Sequence, residues 1–133
     1  MIDPSLPLQK AVVGALKAET SVTALVSNRV YDQVPEDPTF PYVALGYEQT
    51  LQDFDQCNDG AECFVTLDCW SRDVGRVEAK QIAAAVVTTL DSALTLPGFA
   101  VVIHEVDQVR HMRDPDGFTS HSVVTIRYGI QPA

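Results

Sequence analysis

Leu8, Val12, Ala15 and Leu16 repeat at the spacing of one helix face. They predict a helix across DPSLPLQKAVVGALKAE, with Asp3 as its cap and Pro4 at the first helical position, where a missing N–H is harmless. TSVTALVSN reads as one further short helical turn, capped by Thr20 or Ser21 and stopped by Asn28. Pro35, Pro38 and Pro41 then fall within seven residues. Each fixes its own φ and pushes its predecessor, Val34, Asp37 or Phe40, toward extended geometry. Residues 32–41 are therefore read as a stiff arm, an edge or a loop but not a helix.

Period-two alternation begins at Tyr42. Val43, Leu45, Tyr47 and Leu51 are placed on one face of a strand, with Glu48, Thr50 and Gln52 on the other. After a polar link at 52–60, Glu62 to Trp70 alternates again, with Cys63, Val65, Leu67 and Cys69 opposite Phe64, Thr66, Asp68 and Trp70. Strand, turn, strand predicts an antiparallel pair. Ala79, Ile82, Ala83, Val86, Leu90 and Leu94 then mark the long helix, with Asp73 as its cap. Phe99 to Arg110 and Phe118 to Ile130 read as two more strands, joined by a hairpin turn at 111–117. Together these elements predict one α+β domain over residues 1–133. Its sheet is antiparallel or mixed, of about four to five strands, with two main helices on one face.

Composition narrows the function more than the fold. A chain of 133 residues, 46% hydrophobic and 20% charged, builds one ordinary core and is not disordered. Its net charge of −9 speaks against gripping nucleic acid by its phosphates. The opening Met-Ile-Asp-Pro lacks a signal peptide's positive run, and the longest apolar stretch, Ile82 to Val87, is too short for a membrane helix. Synthesis in the cytoplasm with reduced thiols, and no membrane partner, are the expectations.

Candidate chemistry is thin. Cys63 and Cys69 share a strand face but stand six residues apart, roughly 20 Å along a strand, too far for one zinc. DPDG at Asp114–Gly117 resembles the start of a calcium loop, yet Thr119 and Thr125 occupy the places where an EF-hand needs Gly and Glu. Pro115 and Gly117 suit a tight turn instead. No nucleophile elbow or phosphate loop accompanies the cysteines, serines or histidines, and His121 is read as a surface side chain. No catalytic residue, metal or cofactor is expected. Arg72, Arg76 and Lys80 recur at helical spacing as a basic ridge, either a solvated face or a contact with an acidic patch on another subunit. Trp70, just before it, is read as core or sheet-edge packing, or as part of such a contact.

Three further stretches carry a likeness. The arm with Arg29, Tyr31, Asp32, Phe40, Pro41 and Gly46 is followed by a junction of Trp70, Ser71, Arg72, Gly75, Glu78 and Ala79, and then by RDPDG at Arg113–Gly117. In this order, from about Leu8 to Tyr128, they resemble the tail-completion or tail-terminator proteins of long-tailed phages and gene transfer agents. The resemblance implies a non-catalytic subunit assembled as a ring, typically of six, at the head-proximal end of a tail tube. There it would end tube growth and join the tail to the neck. The implied partners are other copies of the chain, the major tail-tube protein and a neck or stopper protein. DNA would cross the ring without specific binding. The implied location is a virion or phage-like particle assembled in the host cytoplasm. Candidate interface residues are Tyr31, Pro35, Pro38, Phe40, Pro41, Trp70, Arg72, Arg76, Lys80 and Arg113. Asp53, Asp55 and Asp59 are candidates for an acidic lumen lining. The alternatives are a different head–tail connector and a small cysteine hydrolase.

Overall fold

Alternation is cleanest in the two middle strands, and the structure grows outward from them. The structure is a computed structural model that describes residues 2–53 and 59–133. Strands β3 (Gly60–Ser71) and β5 (Ser120–Pro132) pair antiparallel without a register shift from Ala61–Ile130 to Ser71–Ser120. Cys63, Val65, Leu67 and Cys69 of β3 join Val124, Ile126, Tyr128 and Ile130 of β5 in one buried layer. Strand β2 (Tyr42–Asp53) flanks β3 and β4 (Phe99–Arg113) flanks β5, both antiparallel, while the two-residue β1 (Val30–Tyr31) runs parallel to β2. The sheet order is β1-β2-β3-β5-β4. This is the expected α+β domain with a mixed sheet.

The buried layer is covered by α1 (Ser5–Ala18), α2 (Thr20–Val26) and α3 (Val77–Leu90). Leu8, Val12 and Leu16 of α1, Val22 and Val26 of α2, and Ile82, Ala83, Val86 and Leu90 of α3 enter the same core. Each large apolar side chain buried there contributes about 1.5–3 kcal/mol relative to exposure. Tyr128 is fully buried, and its hydroxyl donates to the Leu90 carbonyl at 2.9 Å, so the last turn of α3 is tied to β5. Helix α3 lies across β3 and β5, and α1 lies beside it and reaches β1.

Several local expectations are corrected. Helix α1 begins at Ser5 with Pro4 in the cap position, although Asp3 does accept a hydrogen bond from the Ser5 N–H at 3.1 Å. Helix α2 is capped by Glu19, one residue before the predicted threonine. Asp73 does not cap α3. Its carboxylate takes the Val74 N–H at 2.9 Å, Gly75 turns left-handed (φ 75°), and the helix starts only at Val77. In the arm, Asp37 is not extended but left-handed (φ 52°), a conformation Asp tolerates better than most residues. β1 has no counterpart in the sequence reading, since two residues leave no alternation to detect.

The largest correction is in β2. One extra residue sits between the pairs Leu45–Leu67 and Glu48–Val65, and this bulge reverses the alternation beyond it. Glu48 and Thr50 therefore lie opposite core-facing Val65 and Cys63, whereas Tyr47 and Leu51 stand exposed on the far face. Gly46 sits at the bulge because a Cβ there would come within 2.5 Å of the Asp68 carboxylate. Strand β4 carries two such shifts, at Val102 and Asp107, and runs to Arg113, so the hairpin turn is later and tighter than predicted.

Ile82→Ala, fully buried, is expected to lower the unfolding free energy by about 2–5 kcal/mol. Val74→Ser, at a side chain 93% exposed, is expected to change it by less than about 0.5 kcal/mol. Denaturant titration of the two variants checks both.

A candidate assembly surface

Strand β3 ends at Ser71, and the next side chain folds back over the arm. The Arg72 guanidinium lies 4.1 Å from the centre of the Phe40 ring and 5.6 Å from that of Phe118. Its Nε donates to Thr119 Oγ1 at 3.3 Å. Phe40 tilts against Tyr42 at 5.0 Å, and Tyr42 against Tyr31 at 5.9 Å. A continuous run of rings and one cation thus joins β1, the arm, the β3–α3 junction and the β4–β5 turn. A cation over a ring contributes about 0.5–1 kcal/mol at an exposed site and more when water is excluded. Burial raises the Tyr42 pKa, an effect the Arg72 charge opposes. Arg29 closes the arm from the other side, its Nε donating to the Pro41 carbonyl at 2.8 Å.

The β4–β5 turn is built to present Phe118 and Thr119. The Gly117 N–H donates to the Asp114 carbonyl at 3.0 Å, which closes a turn with Pro115 at its second position, as read from the sequence. The Asp116 carboxylate accepts the N–H groups of Phe118 and Thr119 at 2.9 and 2.8 Å, and also the Thr119 hydroxyl. The Thr119 side-chain bond leads the causes that lower the Asp116 pKa. Ser120 Oγ donates to the Gly75 carbonyl at 3.0 Å, which fastens the turn to the approach of α3. On that approach, the Ser71 hydroxyl donates to Glu78 at 2.8 Å and accepts the Asp73 N–H at 3.1 Å. Between turn and approach lies a shallow cleft lined by Arg72, Val74, Arg113 and Phe118, among others. Val74 and Phe118 in its lining are exposed apolar side chains, and exposed Val77 follows at the start of α3.

The candidate residues do not gather as one patch. Tyr31, Phe40, Pro41, Arg72 and Arg113 converge on this end of the sheet, and Pro35 and Pro38 lie along the arm. The basic ridge is divided, because the break at Gly75 leaves Arg72 outside α3 while Lys80 faces β4 beside His111. Trp70 stands on the sheet face away from the helices. It stacks on His121 with ring centres 3.8 Å apart, and His121 Nε2 meets Asp68 Oδ1 at 2.9 Å. His121 is therefore half-buried rather than a free surface side chain. Asp55 lies outside the described residues. Asp53 ends β2, and nothing is described of its side chain; Asp59 is exposed. Phe118, Thr119, Tyr42 and Asp116 were not foreseen as part of the site. A bulky apolar residue directly after the DPDG turn was the available signal.

The described thiols are inert. Cys63 and Cys69 are 1% and 0% exposed, and burial raises both pKa values. No imidazole lies among their hydrogen-bond partners in the described residues; Cys63 reaches only Thr50 Oγ1, at 3.9 Å. Cys57 lies outside the described residues. Among the described residues no group of His, Cys, Asp or Glu is arranged to hold a metal ion, and no helix is long and apolar enough to cross a membrane.

The distinctive side chains of this α+β domain lock three surface segments together, and both described thiols are buried. The comparisons with known proteins give it a family. The family described as tail completion protein gp17 matches residues 10–131, and the chain belongs to it. The tail completion protein gp17 of Bacillus phage SPP1 is 27% identical over 127 residues, which are 95% of this chain and 93% of that one. A chain in the virion of a native gene transfer agent particle superposes with a TM-score of 0.90 at 27% identity, covering 98% of this chain and 99% of that one. The structure of bacteriophage SPP1 gp17 gives 0.67 at 25% identity, covering 93% and 88%. The protein is thus a structural tail-completion component of a phage or gene-transfer-agent particle and not an enzyme.

Arg72→Ala is expected to cost about 1–2 kcal/mol of stability, with Arg72→Lys losing less, read by denaturant titration. Iodoacetamide at about pH 8 is expected to leave Cys63 and Cys69 of the folded protein unmodified and to label both after unfolding. Peptide mass spectrometry checks this.

Proposed function

We propose that this chain forms a ring of six that ends the tail tube at its head-proximal end and joins the tail to the neck. The observation that carries the proposal is the near-complete superposition on a chain of a gene transfer agent virion. The proposed partners are other copies of the chain, the major tail-tube protein and a neck protein.

Two physical features support this reading. A cyclic ring uses head-to-tail contacts and so needs two unlike patches on each subunit. The sheet order puts the arm at one lateral edge and β4 at the other, which supplies them. In addition, six acidic chains, each at −9, would present DNA with a surface that does not retain phosphates. Asp53, Asp55 and Asp59 remain the proposed lining of that passage. The residues of the Phe40–Arg72–Phe118 clasp, with Trp70 on the open face, are proposed contacts to the tube or to neighbouring subunits.

Particles made without this protein are expected to carry tails of uncontrolled length that are detached from heads, as scored by electron microscopy. Native mass spectrometry of the protein, alone and with tail-tube protein, is expected to show a six-membered ring. Tails of normal length, properly attached, in its absence would refute the proposal.

A further inference from the structure

The helical layer is narrower than the sheet beneath it. Helix α3 lies chiefly over β5 and β3 and meets β4 less, while α1 reaches β1, so most of β4 has no helix above it. The result is a groove of about 400 Å³ between α3 and β4. It is lined by the apolar side chains of Ala83, Ala84, Val87 and Val109, together with Thr88, Lys80 and His111. Arg76 lies close enough to act on His111: burial first, then the Lys80 and Arg76 charges, hold that imidazole below the usual histidine range. His111 Nδ1 is also engaged with Ser122 Oγ at 2.7 Å. Near neutral pH the groove and its surroundings therefore carry positive charge, through Lys80 in its lining and Arg76 near His111, on a chain that is otherwise strongly acidic.

The opposite edge of the sheet carries the complementary feature. The arm leaves β1, the outermost strand on that side, and returns to the start of β2. Its base is anchored by the Gln9–Asp32 hydrogen bond at 3.1 Å, by Arg29 on the Pro41 carbonyl and by Arg72 on Phe40. Between these anchors, Glu36 and Asp37 are exposed, and Pro35 and Pro38 flank them. A segment stiffened in this way loses little conformational freedom when it docks.

We propose that the α3–β4 groove receives the proline arm of the next copy of this chain, with Glu36 and Asp37 facing Lys80 and Arg76. The inference rests on the ring reading and names the contact that would close the ring. The two surfaces lie at opposite lateral edges of one sheet, they are unlike, and their charges are opposite. These are the requirements of a head-to-tail interface that repeats around a circle.

The test is a charge swap read by native mass spectrometry at fixed protein and salt concentration. The double variant Arg76→Glu/Lys80→Glu and the double variant Glu36→Lys/Asp37→Lys are each expected to reduce the ring population about tenfold or more. All four side chains are exposed, and circular dichroism with thermal melting confirms that each variant folds. Combining the two doubles in one chain is expected to restore rings. Carbodiimide treatment of the natural protein is expected to link the Glu36–Asp37 peptide of one copy to the Lys80 peptide of another. If natural rings form and either reversal leaves them unchanged, or if the swap restores nothing, this contact is wrong while the ring stands. If the natural chain forms no ring, with or without tail-tube protein, it is the ring reading that falls.

Discussion

The pairing of β3 with β5 runs without a register shift through the middle of the sheet. Because a strand presents alternate side chains to opposite faces, that register decides at once which residues of both strands enter the core. It puts Leu67 beside Val124 and Val65 beside Ile126 under α3, and it places Asp68, Trp70 and His121 on the face without helices. Irregularity is confined to the flanking strands, where β2 has one bulge and β4 two. The rigid centre fixes the sheet, and the flanking strands bend to bring their ends and loops together.

At one end of that sheet, three segments far apart in the chain are held by a single arginine. Arg72 touches Phe40 from the arm, and Phe118 and Thr119 from the last turn, while Ser120 and Gly75 add a second tie between the turn and the approach to α3. A guanidinium suits this position because its flat face accepts rings above and below while its edge still donates hydrogen bonds. The stretches that carry the family likeness in the sequence are the same three segments. In the fold they lie together and touch one another.

Most of the architecture was legible because the core alternates or repeats with a single period. The two sides of β3 were separated correctly, and the stripe read from Ala79 to Leu94 holds as far as Leu90, where α3 ends. The failures occurred where one residue changes phase. The extra residue in β2 moved Tyr47 and Leu51 to the opposite face from the one predicted, and no local composition announces a bulge except Gly46. The start of α3 was placed too early because Asp73 looked like a cap, whereas the left-handed turn at Gly75 separates the two. Of the site, the arm, Arg72 and the DPDG turn were visible as sequence signals. The clasp itself was not, since the contact of Phe40 with a residue thirty-two positions later depends on tertiary placement.

The two offsets in β4 have a consequence for solubility. A straight outer strand of fifteen residues would expose a long row of backbone donors and acceptors, on which identical chains could stack without limit. Val102 and Asp107 each throw that row out of step, so a second strand cannot zip along its whole length. Edge-to-edge pairing of copies along the full length of β4 is thereby hindered, which protects the chain from open-ended stacking.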